Sequence, residues 1–268
     1  MTPTAPAPVP LTGIYLSVVI PVYNESGRIR KTLPQVIQYL RARPERCELI
    51  VVDDGSTDDT ADRIRELVGD TAEARVISYA PNRGKGYAVR RGMLQARGEY
   101  LLFSDADLSA PITEAERLLE PLQNGYDVVI GSRALKREWI QLHQSAFREN
   151  AGKMFNLVLR VITGLPFRDT QCGFKAFRRA AAQRIFPLQS IFGFGFDPEI
   201  LYLAQKFEYR TLEVPVHWAH SEGTKVRMLR DGLRMASDLV RIRWNDLTGK
   251  YSREGNLPST GKLNPPEK

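Results

Sequence analysis

Five short apolar runs punctuate the first half of the chain: LSVVIP (16–21), ELIVV (48–52), RVISY (75–79), YLLF (100–103) and DVVI (127–130). Runs of this length, rich in β-branched residues, predict strands buried on both faces, as in a parallel sheet. Between them the apolar positions take helical spacing, over 28–41, up to Leu67, up to about 96, and over 112–122. Pro34 falls inside the first of these and predicts a break or kink. Ser56 or Thr57 is placed to cap the second. Strands alternating with helices of roughly ten residues predict βαβ units, an α/β fold with a mainly parallel central sheet flanked by helices. In such sheets ligands sit beyond the carboxyl ends of the strands.

The residues that close the runs carry the candidate chemistry. The first run ends in VYNE (22–25), the second in DDGSTD (53–58), the fourth in SDADL (104–108) and the fifth in GSR (131–133). Side chains two apart leave a strand on the same side, so Asp105 and Asp107 point into one small volume. At ~5 Å and an effective dielectric near 20, two such carboxylates repel by ~3 kcal/mol, which a proton or a cation relieves. Hard oxygen donors suit Mg2+ or Mn2+, and Mg2+ takes one or two protein carboxylates together with phosphate oxygens. The pair therefore predicts a divalent cation carrying a nucleotide diphosphate; the plainer alternative is a solvated acidic turn before the helix that follows Pro111. Lys85, in the turn NRGKG (82–86), and Arg133 are cations at strand–helix junctions, where a diphosphate can be held. Arg133 has the planar fork that suits phosphate oxygens, and Lys85 has a solvated turn as its alternative. GKG is not a G-x-G-x-x-G fingerprint and no P-loop occurs, which sets aside a dehydrogenase and a P-loop ATPase.

Composition narrows the partners. The chain has 268 residues, 43% apolar and 26% charged, with a net charge of +7. Such a surface suits an anionic partner; no nucleic-acid motif with its aromatic spacing appears, which leaves phospholipid or a phosphorylated substrate. Cys47 and Cys172 have no metal-ligand spacing and predict no disulfide framework, in keeping with a reducing cytoplasm. No apolar run approaches the ~20 residues of a membrane span. Residues 1–13 read as a disordered proline-rich leader without signal-peptide character, 251–268 as a flexible tail, and 14–250 as one domain. The apolar stretch 154–162 is too short to span. Over 226–247 helical spacing gathers Leu229, Leu233, Ala236, Val240, Trp244 and Leu247 on one stripe, and Arg227, Arg230, Arg234 and Arg241 on another. A basic amphipathic helix of this kind lies in an anionic lipid interface, so the expected location is cytoplasmic and peripheral to the membrane; the alternative is a helix packed on the sheet with a solvated arginine face.

Taken together, PVYNE (21–25), VVDDGSTD (51–58), DAD (105–107) and GSR (131–133) resemble the family 2 glycosyltransferases with the GT-A fold. RDTQCGFKAF (168–177), FDPEILYLA (196–204), VPVHW (214–218), EGTK (222–225) and LTG (247–249) resemble the dolichyl-phosphate glucosyltransferase branch of that family. The resemblance covers about 14–250. The first-half motifs belong to the whole superfamily, and DTQCGFK is much narrower. It implies a nucleotide-sugar half over 14–133 and an acceptor half over 134–250. Asp53 and Asp54 would meet the nucleoside, with Asn24 and Glu25 as the opposite wall and Pro21 and Tyr23 beside them. Asp105, followed by Ala106, matches the residue that meets ribose or metal, and Asp107 the metal ligand proper. Asp169 matches a position proposed as a base, yet a phosphate monoester has its second pKa near ~6 and attacks as a dianion without giving up a proton. Asp169 is thus open to orienting Lys175 or holding the sugar. Lys175 and Lys225 would bind the lipid phosphate, and Cys172 is a packed small residue rather than a nucleophile.

The implied reaction is an inverting transfer of a hexose, glucose from UDP-glucose, to a polyprenyl or dolichyl phosphate. Alternatives are GDP-mannose or UDP-GlcNAc as donor, a soluble acceptor, or a catalytically silent nucleotide-sugar-binding protein. A nucleotidyltransferase is disfavoured because no glycine-rich, arginine-bearing loop follows the first strand. Eukaryotic members of the branch carry an N-terminal anchor and bacterial polyprenyl-phosphate transferases often carry C-terminal spans. This sequence matches neither pattern.

Overall fold

The computed structural model describes residues 13–69, 71, 73–142, 156–219 and 228–252. Lys225 with the rest of its EGTK motif, Arg227, residues 154 and 155, the leader before Gly13 and the tail past Ser252 lie outside the described residues.

Strands form where the apolar runs stand: β1 (Leu16–Val22), β2 (Cys47–Asp53), β3 (Ala74–Ser78), β4 (Tyr100–Ser104) and β5 (Val128–Ser132). Every residue of β1, β2, β4 and β5 is buried, whereas β3 is only partly covered. The second half adds β7 (Phe174–Arg178) and β8 (Thr211–Pro215), and the sheet runs in the order β3-β2-β1-β4-β7-β5-β8. All neighbours are parallel except β7, which lies antiparallel between β4 and β5 with Lys175 opposite both Phe103 and Ile130. This antiparallel insertion brings the start of β7 to the edge where β1, β2, β4 and β5 end. Beyond that edge β6 (Ile140–Leu142) and β9 (Trp218–Ala219) pair as a separate parallel ribbon.

Alternation along each strand feeds two cores. Val18, Ile20, Val51, Leu102 and Val129 meet α1 (Ser26–Arg41), α2 (Thr60–Val68) and α4 (Ala115–Gln123) on one face. Val19, Ile50, Val52, Phe103 and Phe177 face α3 (Lys85–Gln95), α6 (Arg179–Ile185), α7 (Phe196–Lys206) and α8 (Met228–Leu247) on the other. A further helix, α5 (156–163), sends Leu159 into this second core.

Two local expectations are corrected. Pro34 does not break α1, because the buried stripe Ile29, Leu33 and Val36 holds the helix on both sides of it. The second helix begins at Thr60 rather than at Ser56 or Thr57. Those hydroxyls are taken by the first strand's turn: Asn24 donates from its backbone N to Ser56 Oγ (2.9 Å) and from Nδ2 to Thr57 Oγ1 (3.2 Å). On α8 the inward face is Leu239, Ile242 and Asn245, while Val240, Trp244 and Leu247 point outward at 61%, 66% and 78% exposure.

Candidate active site at the strand tips

The tips of β1 and β2 are tied together before either reaches a ligand. Asn24 adopts a left-handed φ of 50°, and its Oδ1 accepts from Thr57 N at 2.7 Å. Glu25 N donates to Thr60 Oγ1 (2.9 Å), and the Glu25 carboxylate pairs with Arg28 at 2.6 Å. Pro21 is buried within β1, and Tyr23 is half-buried just past it. Asp53, 3% exposed, closes its own turn by accepting from Ser56 N at 3.1 Å. Asp54 departs from the expected nucleoside contact. It is 2% exposed and its two oxygens accept from Asn82 Nδ2, Arg83 N and Gly84 N, each at 2.8 Å. Its carboxylate therefore shapes the turn that presents Lys85, and burial raises its pKa in spite of those bonds.

That turn is nested against the loop before α7. Gly84 has φ +101°, and a Cβ there would lie 2.5 Å from Phe192 O; one on Gly86 would lie 2.7 Å from Ile191 O. Only glycine admits this approach. The result aims Lys85 across the cleft at Asp105, with Nζ to Oδ1 at 2.5 Å. Burial opposes the Lys85 charge, but Asp105 and Asp197 outweigh it and hold the ammonium pKa above its ordinary value. Asp105 is wedged from the other side by Gly173, whose carbonyl accepts from Asp105 N at 3.1 Å and where any Cβ would overlap the carboxylate. Ala106 is buried and its carbonyl accepts from Thr32 Oγ1 of α1 at 2.7 Å, which fixes the backbone between the two acids. Asp107 is partly exposed and accepts from Ser109 N at 3.0 Å.

On the far side Arg133 and Asp169 form a two-pronged pair, Nε to Oδ2 at 2.7 Å and Nη2 to Oδ1 at 2.8 Å, and Arg133 N adds a third bond at 3.0 Å. Burial alone would raise the Asp169 carboxyl; the Arg133 charge and hydrogen bonds overcome it and hold the pKa below the usual carboxylate range. A carboxylate so held is a weak proton acceptor, so this geometry suits orientation of Arg133 rather than base catalysis. The guanidinium lies 5.4 Å from the centre of the Trp218 ring. Lys175 corrects the expectation most sharply. It is 0% exposed, with Nζ 2.5 Å from both Cys172 O and Asp197 Oδ1, so it lies beneath the cleft and does not face an acceptor. Strand alternation turns Lys175 and Phe177 toward α7, and both faces of β7 are covered, which leaves the charge no exit to water. Cys172 is buried, and burial pushes its thiol up to about 12.

Sequence reasoning gave no role to Asp197, Gly173, Trp218 or Thr32. Asp197 had a legible signal, one of two acids in the first turn of a largely apolar helix; Gly173 had one in lying between Cys172 and a strand. Nothing local pointed to Thr32 or to the pairing of Trp218 with Arg133. Glu199 was also passed over. It is fully buried and accepts from Ser190 N (3.0 Å), Ile191 N (2.8 Å) and Tyr251 Oη (2.7 Å), which fixes the loop that receives the Lys85 turn.

Among the described residues no three His, Cys, Asp or Glu gather into a closed metal cage. β4 ends at Ser104, so Asp105 and Asp107 stand in the turn that follows it rather than on the strand as the alternation predicts. Two partly exposed carboxylates in one short turn, one already facing a cation, fit a hard divalent ion that keeps positions open for phosphate oxygens.

The family model described as glycosyl transferase family 2 matches residues 17–186. The dolichyl-phosphate beta-glucosyltransferase of Saccharomyces cerevisiae is 38% identical over 256 residues, covering 89% of this chain and 77% of that protein. The Homo sapiens protein of the same name is 38% identical over 264 residues, covering 93% and 80%. Among solved structures, mannosyl-3-phosphoglycerate synthase from Rubrobacter xylanophilus superposes with a TM-score of 0.61 at 21% identity, covering 93% of this chain and 78% of that one. Glucosyl-3-phosphoglycerate synthase from Mycobacterium tuberculosis, crystallised with Mn2+, UDP and glucosyl-3-phosphoglycerate, gives 0.59 at 22% identity, covering 91% and 82%. At that identity the structural likeness speaks for the fold alone.

Proposed function

The chain belongs to glycosyl transferase family 2 and has its GT-A fold, and from that premise we propose that it transfers glucose from UDP-glucose to the phosphate of a polyprenyl lipid such as dolichyl phosphate. The observation that carries this reading is the acid pair Asp105 and Asp107 at the tip of β4, with Lys85 at 2.5 Å from the first of them. The names of the relatives with 38% identity over most of the chain support the donor sugar and the lipid acceptor.

In this reading the acceptor phosphate dianion attacks the anomeric carbon; a carbon–oxygen bond to the lipid phosphate forms as the bond to UDP breaks, and the α-linkage of the donor becomes β. Asp105 and Asp107 would hold Mg2+ or Mn2+, whose chemistry when bound is to neutralise charge on the departing diphosphate. Lys85 and Arg133 add positive charge for the departing diphosphate. Asn24, Glu25 and Asp53 form the nucleoside wall. Asp169 acts by positioning Arg133, in keeping with an acceptor that needs no base. Lys225 remains the proposed acceptor-phosphate ligand in the same catalytic domain over 14–250.

The test is incubation with labelled UDP-glucose, Mn2+ and a short polyprenyl phosphate, with GDP-mannose, UDP-GlcNAc and a soluble phosphorylated acceptor as parallel arms. Lipid-extractable glucose from the wild type, reduced at least about a hundredfold in Asp107→Ala, is expected. Equal turnover by both removes the metal site, and transfer only from another donor or only to the soluble acceptor replaces the substrate assignment.

Among the described residues no helix is long and apolar enough to cross a membrane. Access to a lipid acceptor then rests on the outward stripe Val240, Trp244 and Leu247 of α8, spaced to lie on one helix face, with Arg234 and Arg241 exposed on the same helix. Each buried apolar side chain contributes about 1.5–3 kcal/mol and each arginine near an anionic leaflet roughly 1 kcal/mol, enough for reversible attachment on the cytoplasmic face. Sedimentation with phosphatidylserine-containing liposomes tests this: Trp244→Ser should weaken binding, and wild-type protein that stays in the supernatant refutes it.

A further inference from the structure

We propose that Lys85 is a resident counter-ion for Asp105 that the divalent cation displaces, and that the freed ammonium is handed to the donor diphosphate, so that metal and nucleotide bind cooperatively through this one side chain. The inference rests on the metal and nucleotide reading above and adds to it the origin of the coupling.

Three observations carry it. The Lys85 ammonium sits 2.5 Å from Asp105 Oδ1 and so occupies a carboxylate oxygen that a metal ion would need. The pair is open, with side-chain exposures of 21% and 37%, so water and ions reach it. Asp105 is the less mobile partner, because Gly173 lies against its carboxylate and its backbone N is bonded to Gly173 O. An ammonium and a divalent ion on one carboxylate repel each other strongly, and it is the lysine, on a flexible four-carbon stem, that gives way.

Where the ammonium goes is also limited by the structure. Asp197 and Asp107 are the other acids that act on it, but Lys175 already occupies the Asp197 carboxylate at 2.5 Å in a sealed site, and Asp107 is the second carboxylate the metal ion would claim. Gly84 and Gly86 fix the backbone of the turn against Phe192 and Ile191, so the stem pivots from a fixed base. The remaining partner is a negative group entering the cleft, and a nucleoside diphosphate brings it. Before loading, Lys85 keeps the two acids of the tip from repelling each other; after loading, it becomes a phosphate ligand. A metal ion binding alone therefore works against Lys85, whereas a metal ion binding with UDP does not.

The experiment is titration of Mn2+ followed by the electron paramagnetic resonance of the free ion, with and without UDP, on wild type, Lys85→Met and Asp107→Ala. Lys85→Met should bind Mn2+ alone about tenfold more tightly than wild type, and the tightening that UDP confers should shrink by about the same factor. Lys85→Gln should behave alike and serves if the methionine variant does not fold; Lys85→Arg should stay close to wild type. Nucleotide-free Mn2+ affinity that is unchanged or weaker in both neutral variants, or an unchanged effect of UDP, overturns the displacement. Failure of the underlying reading looks different: Mn2+ binding with UDP that is absent in wild type, or fully retained in Asp107→Ala.

Discussion

Two lysine–aspartate pairs flank one aromatic contact in this molecule. Lys175 and Lys85 lie 5.5 Å and 5.9 Å from the rings of Phe103 and Phe196, which are themselves 5.8 Å apart. In both pairs the charged atoms are 2.5 Å apart. Lys175 and Asp197 are 0% and 5% exposed, whereas Lys85 and Asp105 are 21% and 37% exposed. Equal separation therefore coexists with opposite roles. In the sealed pair neither charge can change partner without leaving the other desolvated and alone, which makes it a fixed strut between β7 and α7. In the open pair water stands in for a lost partner, and the same chemistry becomes exchangeable. Solvent access, not distance, divides the floor of the cleft from its working surface.

The strongest way to break that comparison is to make the same substitution in each pair. Lys175→Met leaves Asp197 buried and unpaired, and is expected to cost about 3–5 kcal/mol in urea unfolding. The double variant Lys175→Met, Asp197→Leu should recover most of that loss, since replacing both charges removes the desolvation penalty. Lys85→Met should cost at most about 1 kcal/mol, as for other solvent-screened pairs. Equal costs for the two lysines would erase the distinction between strut and exchangeable pair.

The contrast also explains what the sequence could reveal. The strand tips were legible because each is an apolar run closed by acids or a cation, so β1, β2, β4 and β5 and the residues Asp53, Asp105 and Arg133 can be placed without coordinates. Lys175 was not, although its motif stood out. FKAF is too short and too interrupted by charge to read as a buried strand, and its burial follows from the antiparallel insertion of β7 between β4 and β5. Its partner Asp197 lies on another element, and no local pattern links them. The part Asp54 plays in the Lys85 turn is hidden for a related reason: its partners are the backbone N–H groups of a turn about thirty residues on, which composition does not display. Ser56 and Thr57 look like helix caps until the turn after β1 claims their hydroxyls.

A smaller effect is expected at the intermediate pair. Arg133 and Asp169 are 31% and 8% exposed, so the carboxylate is nearly sealed like Asp197 while the cation is open like Lys85. Arg133→Lys keeps the charge and loses the two-pronged geometry. It should lower glucosyl transfer by about tenfold while costing roughly 1–2 kcal/mol of stability, the range of a hydrogen bond to a charged group. A loss of stability like that of Lys175→Met, with little added effect on transfer by the folded fraction, would move the pair to the structural side of the comparison.

The smallest expected effect is the pH dependence of the same fork. Asp169 has its folded-state pKa below the ordinary carboxylate value. A lowered carboxyl contributes stability that is fully present above its unfolded pKa, near 3.9, and is lost as pH falls through the folded value. Each unit of depression contributes about 1.4 kcal/mol. Asp197 has the opposite sign, since burial raises its pKa in spite of Lys175; its contribution is present at low pH and is lost as pH rises through the folded value. Acidification from pH ~5 to ~3 should therefore weaken the protein through Asp169 and not through Asp197. Glu48 acts in the same direction as Asp169: burial works against its charge, but Ser17, Arg97 and Arg75 hold its pKa low. Asp169→Asn should then flatten the acid limb of the stability curve without abolishing it, leaving the part due to Glu48. An acid limb as steep in Asp169→Asn as in wild type would mean that the fork keeps its carboxylate no more ionised than the unfolded chain does, and that Arg133 is held by geometry rather than by charge.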